Sequence, residues 1–72
     1  MNLKDILAGI SILRNHYTDP DWYHLEAEHD QIFMSATDIP LLLANYERLL
    51  QLGWFQPDTE TYDSEQHWST FT

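Results

Sequence analysis

Apolar residues near the start of the chain recur at steps of three and four. Leu3, Ile6, Leu7, Ile10, Leu13 and Tyr17 therefore share one stripe of a helix running from about Leu3 to His16. Asn2 is suited to accept a backbone hydrogen bond as N-cap, and Asp5 three positions on favours the positive end of the helix dipole. Gly9 interrupts the stripe at a cost of up to about 1 kcal/mol relative to alanine, so either close packing or simple tolerance must account for it. Thr18-Asp19-Pro20-Asp21 ends the helix, because a residue preceding proline is pushed out of the helical region.

From Trp22 to Met34 the period changes to two. Tyr23, Leu25 and Ala27 lie on one face and Trp22, His24, Glu26 and Glu28 on the other. A polar break at Glu28-His29-Asp30-Gln31 precedes Ile32 and Met34, which continue the inward face. The simplest arrangement is a β-hairpin, although neither Asn-Gly nor Asp-Gly marks its turn. In that register Phe33 points outward with Trp22 and His24, and a slip of one residue would invert every assignment.

Thr37 or Asp38 is the expected cap of a second helix, with Pro40 in its first turn. Ile39, Leu42, Leu43, Tyr46, Leu49 and Leu50 form its apolar stripe. Gly53 is placed for the left-handed C-cap, with Trp54 folding back on the last turn. Residues 56–66 read as an acidic loop or partly mobile strip. The ending Gln66-His67-Trp68-Ser69-Thr70-Phe71-Thr72 suits a third strand that pairs with the hairpin.

The assembled expectation is a single α+β domain over residues 1–72. It is a two-layer αββαβ unit with two helices packed on a three-stranded antiparallel sheet whose other face is open. A chain of 72 residues buries only about 60% of its unfolded surface, so Trp22, Phe33 and one or two of Trp54, Trp68 and Phe71 cannot all be covered. Aromatics left outside form a contact patch. Alternatively, the tryptophans simply finish a thin core.

Charge sharpens this picture. Twelve carboxylates face only Lys4, Arg14 and Arg48, for a net charge of -9. A hydrophobic content of 43% with ten aromatics nevertheless excludes a disordered acidic tail. Such a field steers the chain toward a basic surface and repels polyanions. Residues two apart on a strand are roughly 6.5 Å apart, so Glu26 and Glu28 form a same-side pair capable of imitating a row of phosphates. The expected partner-binding set is Trp22, His24, Glu26, Glu28, Asp30 and Phe33, extended by the loop acids Asp58, Glu60, Asp63 and Glu65. The alternative is a solvated face that serves solubility.

Other chemistries find less support. His24, Glu26, Glu28 and His29 offer donors for zinc, nickel or manganese, but their spacing fits no ligand motif with a known mechanism, and no metal or cofactor is expected. There is no thiol, no glycine-rich loop, and no serine beside a plausible histidine and acid, so the chain is not expected to be an enzyme. His16, His24, His29 and His67 could confer pH sensitivity by offsetting the negative field. Three basic residues are too few for direct nucleic-acid binding, and anionic lipid is disfavoured for the same reason. Zero cysteines point to a reducing, cytoplasmic setting. The N-terminal stretch lacks the features of a leader, and no run approaches a membrane span.

Ala27-Glu28-His29-Asp30-Gln31-Ile32-Phe33, followed by Leu52-Gly53-Trp54 and Trp68-Ser69-Thr70-Phe71, resembles small uncharacterised proteins encoded by bacteriophages and other mobile elements. The resemblance spans most of the chain, but its motifs are structural and carry over no catalytic or binding residue. It implies a setting in which short acidic proteins inhibit host defence nucleases, including anti-CRISPR and anti-restriction inhibitors. The expected function is thus a small acidic interaction module, an inhibitor or nucleic-acid mimic acting on a basic protein surface. The alternative is a homodimer formed through the open sheet face or an edge strand.

Overall fold

The computed structural model describes residues 2–22 and 24–72, and its elements run α1 (Leu3–Arg14), β1 (Leu25–Glu28), β2 (Gln31–Met34), α2 (Leu43–Gln51) and β3 (Trp68–Phe71). This is the expected αββαβ order. The strands form one antiparallel sheet in the order β1-β2-β3. The inward placement expected for Tyr23 lies outside the described residues. Among the described residues, no helix is long and apolar enough to cross a membrane.

Helix α1 starts as its residues dictate. The Asn2 side-chain oxygen accepts the Asp5 N–H at 2.9 Å, and Asp5 and Arg14 complement the two ends of the dipole. It stops at Arg14, short of His16. The His16 N–H instead closes a tight turn on the Leu13 carbonyl (2.9 Å), and its ring Nδ1–H donates to the Ile12 carbonyl (2.8 Å). The buried stripe is also rotated from the expected one. Gly9, Leu13 and Tyr17 are buried, whereas Leu3 and Leu7 are 68% and 52% exposed. The cause is Trp54, whose indole is laid on Gly9. A Cβ built there would stand 2.7 Å from the indole Cε2 and closer still to Nε1 and Cδ1. Close packing, not tolerance, therefore explains the glycine.

The hairpin pairs Leu25 with Met34, Glu26 with Phe33, Ala27 with Ile32 and Glu28 with Gln31. Side chains alternate across a strand, so Leu25, Ala27, Ile32 and Met34 share the inner face, and Glu26, Glu28, Gln31 and Phe33 the outer one. His29 and Asp30 form the two-residue turn. His29 takes φ 54° at its first position, the sign that a tight hairpin turn demands there. Two expectations are corrected. The strand begins at Leu25, with Trp22 in a preceding turn whose N–H reaches the Asp19 carbonyl at 3.2 Å. Leu25 and Ala27, although on the inner face, are exposed, as befits β1 at the outer edge of the sheet. On the far side, β3 receives a bridge from Phe55, whose N–H and C=O exchange bonds with Ser69 at 2.9 and 2.8 Å.

Helix α2 departs most from its expected start. It begins at Leu43 with Leu42 as N-cap and no side-chain cap. The residues expected to cap it are used elsewhere. The Asp38 carboxylate accepts both the N–H and the hydroxyl of Thr18 at 3.1 Å. The Ile39 N–H donates to the His16 carbonyl (2.9 Å) and the Leu41 N–H to the Tyr62 hydroxyl (2.8 Å). Four long-range bonds thus hold residues 38–41 across the end of α1 and the acidic loop. The buried side of α2 is carried by Leu49, with Leu41 and Leu52 buried in the segments flanking the helix, while Ile39, Leu42, Leu43 and Leu50 are exposed. The far end matches expectation. Gly53 has φ 91°, its N–H bonds to the Leu50 carbonyl (3.1 Å), and the Trp54 N–H bonds to the Leu49 carbonyl (2.9 Å), which defines a Schellman motif.

One core unites these elements: Leu13 in α1 and Tyr17 just after it, Leu41, Leu49, Leu52 and Trp54 in and around α2, and Met34 and Trp68 from the inner sheet face. Trp54 and Trp68 are essentially fully buried, whereas Trp22 and Phe71 are 70% and 52% exposed. The aromatic surplus is thereby divided between core and surface. The segment 56–66 is more ordered than a mobile strip. Gln56, itself buried, donates to the Asp63 (2.6 Å) and Gln66 (3.2 Å) carbonyls and accepts the Asp63 N–H (3.0 Å).

Candidate functional site

The pleat of β1 and β2 sets the outer face of the sheet. Glu26 stands opposite Phe33 and Glu28 opposite Gln31, all four on the side away from the helices. In β3 the same parity adds Ser69 and Phe71, and His67 just before it. Phe33 and His67 meet with ring centroids 6.0 Å apart, and Phe71 stacks on Phe55 at 5.6 Å. Gln31 anchors this surface through a 2.7 Å hydrogen bond to the Ser69 hydroxyl.

Two shallow grooves meet here. One of about 400 Å³ is lined by His24, Glu26, Phe33, Ser35 and His67 among others. The second, about 340 Å³, is lined by Glu26, Ala27, Glu28 and Phe33. Glu26 and Phe33 belong to both, so an aromatic floor runs beside a pair of exposed carboxylates. None of the three basic side chains closes an ion pair with a carboxylate among the described residues, and Arg48 donates to Gln51 (3.4 Å) instead. The negative charge of this face is left for solvent or a partner to meet.

His24 borders the groove but is no free ligand. Its Nε2–H donates to the Asp19 carbonyl (2.9 Å), which leaves Nδ1 to accept from the Ser35 hydroxyl (2.8 Å). Its ring stacks on Tyr17. Tyr17 donates its hydroxyl to the Ser35 carbonyl (2.6 Å), and burial, reinforced by the charge of Asp38, raises its pKa above the ordinary 10.0. His29 is in the turn, and among the described residues no three histidines or acids gather as a metal site.

The other expected site residues separate. Trp22 lies off the sheet, at a different groove of about 180 Å³ lined also by Ile10, Arg14, Tyr17 and Leu25. Asp30 is exposed at the turn, where its backbone carbonyl accepts the Thr72 N–H at 2.7 Å. Asp58, Glu60, Asp63 and Glu65 stay on the loop organised by Gln56. Asp63 also accepts the Glu65 N–H (2.9 Å) through its own carboxylate. None of these four lines the grooves beside Glu26. His67 and Phe71 were legible as outward residues from the alternation of the last strand. Ser35 and Phe55 carry no sequence signal, because their roles depend on partners far along the chain. No protein family, curated protein or solved structure matches this chain.

Proposed function

We propose that this chain is a small acidic interaction module that binds a basic protein surface through the outer face of its sheet. One observation carries the proposal: Glu26 and Glu28 stand exposed on the same face as Phe33 with no cation among the described residues paired to them. Carboxylates spaced along a strand offer acceptors for Lys and Arg, while an aromatic floor supplies apolar area that charge alone does not. The finer role is to occupy the nucleic-acid groove of a basic enzyme as a phage-type inhibitor in the cytoplasm. It is supported by the net charge of -9, the absence of cysteine and the resemblance of the sequence. It assigns no catalytic step to the chain.

The test is capture of binding proteins from lysate by the wild type and by a Glu26→Gln/Glu28→Gln variant. The captured protein should be basic, released by salt, displaced by duplex DNA, and lost with the double variant. A partner held equally by the neutralised variant and indifferent to salt would refute the proposal.

A further inference from the structure

The hydrogen-bond phase of the hairpin fixes what the free edge of β1 offers. The Ser35 N–H donates to the His24 carbonyl at 3.0 Å, which makes His24 and Ser35 a bonded rung of the ladder. Rungs alternate in an antiparallel pair, so Glu26–Phe33 and Glu28–Gln31 are bonded and Leu25–Met34 and Ala27–Ile32 are not. The N–H and C=O groups of Leu25 and Ala27 therefore point away from β2. Since β1 ends the sheet and is exposed along its whole length, they point to an open edge. Each is a strong and obligatory hydrogen-bonding group.

The two sides of this edge differ. Glu26 and Glu28 flank it on the outer face. On the inner side, Leu25 joins the apolar groove with Trp22 and Ile10, and Arg14 stands at the same groove. A second copy of this chain would bring Glu26 and Glu28 against their own kind, which disfavours self-pairing. A cationic strand meets the opposite situation. Added antiparallel, it would bond to Leu25 and Ala27. Its residues opposite Glu26 and Glu28 would fall at non-bonded positions, where facing side chains approach most closely. Residues opposite Leu25 would enter the groove of Trp22, where Arg14 excludes a further cation.

Resting on the proposed recognition of a basic surface and deepening it, we infer that β1 takes up an extended partner segment as a fourth strand. The segment alternates Lys or Arg toward Glu26 and Glu28 with apolar side chains toward Leu25 and Trp22. The order of the residues, beyond their charge, is then what the edge reads.

Three synthetic peptides test this: one alternating lysine and valine, one of the same composition with lysines and valines in separate blocks, and the alternating one with its valine amides N-methylated. The alternating peptide should bind at least about tenfold tighter than either control and slow hydrogen exchange at the Leu25 and Ala27 amides. Glu26→Gln/Glu28→Gln should weaken it. Equal binding of all three peptides, with the Leu25 and Ala27 amides unprotected, overturns strand addition while leaving recognition by charge intact. No binding by any peptide, or binding indifferent to the double variant, overturns both. Protection of the same amides that rises with protein concentration in the absence of peptide assigns the edge to a second copy and overturns the inference.

Discussion

Tyr17 and His24 lie face to face, their ring centroids 3.9 Å apart and their planes within 10° of parallel. The stack joins the end of α1 to the entry of the hairpin, and both rings bond to Ser35: Tyr17 to its carbonyl, His24 to its hydroxyl. The start of β1, with the Glu26–Phe33 rung beyond it, is thereby tied to the helical layer.

Tyr17→Phe keeps the stack and removes one hydrogen bond, so it should cost about 1 kcal/mol at neutral pH, read as a shift in urea midpoint. The alkaline limb should respond more. Burial raises the Tyr17 pKa above that of the unfolded chain, so its contribution is complete below pH 10 and is lost as pH rises toward and through the folded value. The variant should lose stability less steeply over that range. An unchanged alkaline slope would show that Tyr17 is not buried as described.

Gly9→Ala adds the best helix-forming side chain to an α-helix and should nevertheless destabilise the protein. The new methyl would collide with the indole of Trp54, which is fully buried. Overpacking of this kind costs about 1–3 kcal/mol, larger than the roughly 1 kcal/mol gained in propensity. Denaturation followed by tryptophan emission measures it, with a change in native emission expected as Trp54 is displaced.

Gly53→Ala places a Cβ on a backbone at φ 91° and should cost about 1–2 kcal/mol, whereas Gly53→Asn should cost less because asparagine tolerates positive φ. Thermal unfolding of the two variants ranks them. Equal loss in both would place the cause outside backbone conformation.

Gln56→Ala should release the acidic loop without unfolding the sheet. It removes the acceptor of the Asp63 N–H and the donor to two carbonyls, at about 1–3 kcal/mol for buried groups left unpaired. Hydrogen exchange at the Asp63 amide should accelerate far more than at the amides of β2. Uniform acceleration would mean that the loop and the sheet open together.

Local rules were legible wherever neighbours in sequence settle the structure. The Asn2 cap, the Gly53 terminus, the period-two hairpin and the extended character of the last strand all follow from nearby residues. Legibility failed where distant partners compete. Asp38 is a good helix cap in isolation, but Thr18 takes its carboxylate, and the helix starts five residues later. The stripe of α1 turned because Trp54, 45 positions from Gly9, claims the surface that the glycine opens. The outward positions of Glu26, Glu28 and Phe33 were readable from alternation. The removal of Trp22 from that face was not, because Pro20 and the turn at Asp19–Trp22 end the alternation before it reaches the strand.

Trp54 is seated on Gly9, closes the end of α2 and adjoins the Phe55 bridge to β3, so a single side chain spans three elements that are far apart in sequence. None of the three can come loose without uncovering it. So small a molecule, lacking any disulfide, should therefore melt in one concerted transition, and its native emission should vanish at the same denaturant concentration as its helical dichroism.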